Sequence, residues 1–324
     1  MKRTLIAFSG CLIFAFGCTK ETIKEEIVDS PAEEIAIAGR CASQEMLAVQ
    51  LQNDPALADR MQAIEEVTAR FVKNPDYNFR SGDEIIIPVV VNVLYKTAAE
   101  NISAAQIQSQ IDVLNADFAA TNSDYNQTPA TFQSVRSGDI KIRFTLDQVV
   151  RKLTTKSSWR TDDAMKKSAR GGIDPTSPST KLNMWVCNMS GGILGYAQFP
   201  GGNLATDGVV IDNNATGNTG TASGPYGLGR TATHEVGHWL NLRHIWGDAT
   251  CGNDFVGDTP VAQSSNGGCP AFPKYGSCSA SIPMMTMNYM DYTYDACMYM
   301  FTAGQGTRMN ATFATGGGRA SFGL

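Results

Sequence analysis

The stretch Thr231-Ala232-Thr233-His234-Glu235-Val236-Gly237-His238-Trp239-Leu240-Asn241-Leu242-Arg243-His244 contains all three histidines of a 324-residue chain. Residues four apart on a helix share a face, so a helix here offers His234 and His238 to one ion with Glu235 beside them. His244 lies six positions beyond His238, and it joins them only if the helix stops and the chain turns back. Asn241 suits that stop, because asparagine tolerates left-handed backbone better than any residue except glycine. Three neutral imidazoles with an open fourth position form the ligand set of a catalytic zinc rather than a closed structural one. Glu235 then stands where such chemistry needs a general base.

Working outward, 43% hydrophobic and 18% charged residues describe a chain that buries a core, which excludes disordered and fibrous classes. A net charge of -5 offers no electrostatic footprint for nucleic acid. The longest apolar run, Leu5 to Phe16, is too short to span a bilayer and follows Lys2 and Arg3, so residues 1–17 read as a signal peptide and the protein as exported. Cys18 follows the small residue Gly17 at the expected cleavage point, which resembles the lipobox of bacterial lipoproteins. The expectation is an acylated Cys18, the chain's single link to a membrane, with the charged stretch Glu21 to Glu34 as a solvated tether. Gly217 to Gly229 is glycine-rich, but no Gly-Lys-Ser/Thr follows, so it reads as a loop leading into the histidine helix and not as a phosphate cradle.

Asp54-Pro55 reads as an N-cap with proline at the first helical position, ahead of Leu57, Met61, Ile64 and Phe71 at helical spacing. The polar segment Arg80-Ser81-Gly82-Asp83 marks a boundary, dividing residues 18–79, a tethered prosegment, from residues 80–324. Ile85 to Tyr95 predicts a mostly buried strand, part of it on an edge because of Pro88. Ser103-Ala104-Ala105-Gln106 predicts a capping box opening a helix with Ile107, Ile111, Leu114 and Phe118 as its apolar stripe. Alternation from Ile140 to Leu146 and short apolar runs at Leu182 to Cys187 and Val209 to Ile211 predict further strands. After His244 regular patterns fade until a short helix near Gln305 to Phe313. Cys251, Cys269, Cys278 and Cys297 crowd this loop-rich segment, as in a disulfide-stapled region of an exported protein; four cysteines allow three pairings.

The motif H-E-x-x-H-x-x-N-x-x-H resembles that of the metzincin zinc endopeptidases, with Asn241 in their glycine position. Gly195-Tyr196-Ala197-Gln198-Phe199-Pro200 resembles the substrate-edge strand, and Asn288-Tyr289-Met290-Asp291-Tyr292 the Met-turn, of the ulilysin type of the pappalysin family. The resemblance covers roughly Ile85 to Phe313. It implies an α/β (α+β) catalytic domain: a twisted mixed sheet with helices above a cleft, an active-site helix, and an irregular lower part stapled by Cys251 with Cys278 and Cys269 with Cys297, leaving Cys187 a buried thiol. It implies Zn2+ on His234, His238 and His244, Met290 as an apolar floor beneath them, and Tyr292 pointing its phenol towards the metal. Asp254, Asp258 and Thr259 resemble a loop that binds Ca2+, whose preference is for clustered oxygens. Asp295 resembles the acid at the base of the pocket for the residue after the scissile bond, which implies cleavage of protein or peptide substrates before Arg and Lys. Cys41 resembles a cysteine switch that keeps a zymogen latent, and Phe79-Arg80 then becomes a self-processing bond. A competing class is a surface lipoprotein that binds an extracellular protein and uses zinc only structurally; Glu235 argues against it, since a binder needs no general base.

Overall fold

The computed structural model describes residues 41–74 and 84–323. The signal peptide, Cys18, the tether and the Phe79-Arg80 bond lie outside the described residues.

The segment before Ile85, expected to be a prosegment, supplies two helices, α1 (Ser43–Asn53) and α2 (Leu57–Lys73). No periodicity announces α1; it is short, only Ser43, Met46 and Leu47 are buried on it, and tertiary contact rather than propensity holds it. α2 starts later than Asp54-Pro55 suggests. Those residues form a turn in which the Asp54 carbonyl accepts from Leu57 N, while the Asp54 carboxylate pairs with Arg60 at 2.5 Å. The catalytic part then runs β1 (Ile85–Tyr95), α3 (Ala104–Phe118), β2 (Ile142–Leu153), β3 (Leu182–Cys187), β4 (Gly195–Ala197), β5 (Val209–Asp212), α4 (Arg230–Trp239) and α5 (Ala303–Ala311), with short 3-10 turns between.

The five strands form one sheet in the order β2-β1-β3-β5-β4, parallel except for β4, which runs antiparallel to β5 on the edge. Pro88 pairs with Thr145 on the β2 side, whereas β3 begins its pairing only at Val89, so the proline sits where the other side of β1 has no partner strand. At the start of α3 the Ser103 hydroxyl accepts from Gln106 N as expected, but the capping box is half-made. The Gln106 side chain instead donates to the carbonyls of Asn213 and Thr216 and accepts from Thr221 N, tying down the loop before the histidine helix. The complete box is at Thr302 and Gln305, opening α5.

The main core joins one face of the sheet to α3 and α4: Ile87, Val89, Val91 and Val93 meet Ile107, Leu114 and Phe118 and, further along, Ala232 and Val236. Phe118 stands edge-on to Phe144 at 5.0 Å and Phe301 at 5.2 Å. On the sheet's other face Trp185, Tyr196 and Val210 pack with Ala42 and Met46 of the segment before β1. Between α4 and α5 the chain is irregular and is closed by the disulfides Cys251–Cys278 and Cys269–Cys297, while Cys41 and Cys187 are buried free thiols.

Candidate active site

α4 is buried along its whole length and ends where asparagine was expected to end it. Asn241 adopts φ +71, its N–H reaches the His238 carbonyl and Leu242 N reaches Gly237, and the chain returns His244 to the helix. The three Nε2 atoms converge, with His238 3.1 Å from both His234 and His244, and His234 3.3 Å from His244. Each Nδ1 faces an acceptor: the Tyr289 carbonyl at 2.6 Å, the Leu242 carbonyl at 2.8 Å, and the Asp248 carboxylate. Those acceptors place the protons on Nδ1 and leave three Nε2 lone pairs pointing at one another. Burial lowers all three imidazole pKa values, that of His234 to about 4, so they are neutral. Three converging lone pairs repel unless a cation lies among them. A tetrahedral zinc with bonds of about 2.0–2.1 Å holds its ligand nitrogens about 3.3 Å apart, so the donor set fits the ion.

Glu235 is fully buried beside them, under β4. A Cβ on Gly195 would stand 2.9 Å from Glu235 Cγ, so only glycine lets the edge strand lie on the carboxylate. Gly237 has the same role below: a Cβ there would meet Met290 Sδ at 2.5 Å. Met290 is fully buried, its N–H bonded to Asn288 Oδ1 and its carbonyl to Ile245 N, which ties the Met-turn to the chain just beyond His244. The Tyr292 ring lies edge-on to His244 at 4.8 Å and near His234 at 5.7 Å.

The segment from Cys41 to Ser43 occupies this site. Cys41 bridges Gly195 in parallel, and Ala42 N donates to the Gly195 carbonyl at 3.0 Å. The Cys41 sulfur and the three histidine nitrogens lie within 4.8 Å of one another. The thiol donates to Glu235 Oε2 at 3.4 Å, and the Tyr292 phenol donates to the Cys41 carbonyl at 3.2 Å. Ser43 adds a contact that sequence reasoning missed: its hydroxyl donates to Glu235 Oε2 at 2.7 Å and accepts from Ala197 N at 2.8 Å. Burial under this cover pushes Glu235 up to about 8 and the Cys41 thiol upward as well.

Asp295 lines a cavity next to the histidines with Cys41, Leu194, Thr231, Tyr292 and Met298. Its Oδ2 accepts from Leu228 N and Arg230 N at the start of α4, and burial pushes it up to about 6. Asp291, in the same wall, has both oxygens engaged by Asn266 and Tyr292 N. In the other loop Asp254 accepts from Thr259 and Val256 N, and Asp258 accepts from the Thr302 hydroxyl and Gly304 N at the start of α5. Besides Ser43, sequence reasoning missed Asp248, four residues past His244, and Arg230, whose guanidinium joins Asp117 and Asp124 and thereby fixes α4 against α3. The i,i+4 spacing of Asp248 was a usable signal; nothing local marked Ser43 or Arg230.

Comparison with known proteins gives one consistent result. A family pattern described as pregnancy-associated plasma protein-A, Peptidase_M43, matches residues 182–314. Extracellular metalloprotease 1 of Coccidioides posadasii is 35% identical over 221 residues, 65% of this chain and 69% of that protein. The chain is also similar to a mutant of promirolysin from Tannerella forsythia (42% identity, TM-score 0.79, 87% of this chain and 96% of that one). Mature mirolysin of the same organism, in complex with a cleaved peptide, matches at 45% identity and TM-score 0.73 over 75% of this chain and 97% of that one.

Proposed function

The chain belongs to the Peptidase_M43 family and is a zinc endopeptidase made as a latent precursor, and from that premise we propose how its residues divide the work. His234, His238 and His244 hold the zinc, which when bound lowers the pKa of a water and polarises the scissile carbonyl. Glu235 accepts the proton of the attacking water and delivers it to the departing amine. The Tyr292 phenol, which reaches the Cys41 carbonyl in the precursor, donates to the oxyanion in the mature enzyme. β4 pairs with the substrate backbone at the edge that Cys41 and Ala42 occupy in the precursor, which accounts for extended peptides as substrates.

The observation that carries this reading is the convergence of three Nε2 lone pairs beside a buried carboxylate, with a prosegment thiol in the same cluster. Latency follows from Cys41 taking the open position and Ser43 holding the general base. Asp295, the partly dry acid in the adjoining cavity, selects Arg and, less well, Lys after the cut. Cleavage at Phe79-Arg80 releases the prosegment; the protein is exported, anchored through Cys18 until then. Calcium enters at Asp254, Asp258 and Thr259 on the chemistry of an oxygen-rich turn; a rise in Tm on adding calcium to chelator-treated, zinc-reloaded enzyme is its check.

The deciding experiment is Glu235→Ala in the full chain, processed in trans by a trace of wild-type enzyme that is then removed. It retains stoichiometric zinc and loses casein cleavage by about 10²–10⁴-fold. Equal cleavage by variant and wild type overturns the assignment. N-terminal sequencing of the activated enzyme should start at Arg80, and Asp295→Ala should abolish the basic preference while leaving zinc bound.

A further inference from the structure

Arg243 is a cation that the precursor leaves poorly matched. Its guanidinium lies over the Phe199 ring at 4.5 Å, just beyond the end of β4, and Phe199 in turn packs on His238 at 5.2 Å. Nε is shielded from solvent and meets no acceptor among the described residues. Among the described residues its side chain makes one hydrogen bond, a long one of 3.4 Å from Nη1 to Gln44 Oε1, and Gln44 belongs to the prosegment. Beside it Arg308 donates to the Asn241 carbonyl and pairs with Glu65, which is also a prosegment residue. Removal of residues before Arg80 therefore strips Gln44 from one guanidinium and Glu65 from the other, leaving two cations at this end of the cleft with Asp248 already committed to His244.

We propose that Arg243, with Arg308 behind it, selects an acidic substrate side chain two or three residues before the scissile bond. The polarity comes from the edge strand: Leu194, ahead of Gly195, lines the Asp295 cavity, whereas Phe199, beyond Ala197, carries Arg243. A peptide lying along β4 that sets the residue after the cut in the Asp295 cavity must lay the residues before the cut towards Phe199. Cys41 and Gln44 of the prosegment mark the same two stations. A carboxylate matches what is free there, because a guanidinium presents parallel N–H donors that two carboxylate oxygens satisfy together, which a single amide oxygen does not. The inference rests on the endopeptidase reading and on the orientation given by Asp295.

The test uses full-length protein activated by its own processing and matched peptides with Arg after the cut, differing only by Glu, Gln or Lys two or three residues before it. Wild type should cleave the Glu peptide with kcat/KM about tenfold above the Lys peptide. Arg243→Gln should bring that ratio near one while retaining zinc and the preference for Arg after the cut, and Arg243→Glu should invert it. A ratio unchanged in Arg243→Gln overturns the proposal. If neither variant folds, judged by zinc content, the wild-type ratio decides: no preference for Glu over Lys rejects the assignment of Arg243, and a preference that vanishes in Arg243→Lys, which keeps charge but not the fork, supports it. Failure of wild type to cut any peptide would reject the endopeptidase reading instead, so the two failures are separable.

Discussion

The part of the molecule before His244 and the shorter part after it reach the same cluster by different routes. Before it, regular elements close an apolar core, and α4 delivers His234, Glu235 and His238 on a rigid face. After it, from Ile245 to Phe301, short polar turns and two disulfides deliver Met290, Tyr292 and Asp295 with almost no regular structure. This segment places Ile245, Met285, Tyr289, Met300 and Phe301 in the same main core, and cross-links spanning 27 and 28 residues contribute about 3–4 kcal/mol each by constraining the unfolded chain. The first part positions through regular elements and the second through irregular turns that are packed into the same core and cross-linked as well, with the candidate ligands at the junction between them.

That contrast is broken hardest from the regular side. Phe118→Ala, which empties the centre of the Phe144 and Phe301 cluster, should destabilise the whole protein by about 3–5 kcal/mol in urea unfolding monitored by circular dichroism; a cost below about 1 kcal/mol would show that the sheet part does not depend on this core. From the irregular side, the pair Cys251→Ser and Cys278→Ser should lose about 2–4 kcal/mol but chiefly in the loop. Hydrogen exchange should then rise over Ile245 to Phe301 while β1 and α3 stay protected, and uniform loss of protection would erase the distinction between the two parts.

The ligands at the junction give smaller, sharper effects. Asp248→Asn weakens the carboxylate that orients His244, so zinc affinity measured by chelator competition should fall by about 10–100-fold with the Tm of the zinc-loaded protein little changed. Equal affinity would mean that stacking on Trp246 is enough to set the imidazole. The smallest effect concerns latency. Ser43→Ala removes one hydrogen bond to Glu235, worth about 1–2 kcal/mol, and should raise precursor autoactivation severalfold without altering the mature enzyme; a precursor as silent as wild type would leave Cys41 as the whole lock.

The sequence by itself determined the candidate ligands, the candidate base beside them, the turn at Asn241 and most of the regular elements, because each is written in local spacing: four residues on a helix, two on a strand, one residue type that accepts left-handed backbone. Ile85 to Tyr95 and Leu182 to Cys187 emerge as strands with the bounds their apolar runs suggest. The two disulfides follow the pairing that the family resemblance implied, which spacing alone left open. Only the tertiary structure decided that Ser43 holds Glu235, that Gln106 abandons its cap to fasten a distant loop, that Asp295 caps α4 as it lines the cavity, and that Arg243 answers to Gln44. These contacts join residues up to about two hundred positions apart, and no periodicity records them. They arise because burial strips water from a polar group, and the group then takes whichever partner the packing of other elements brings within reach.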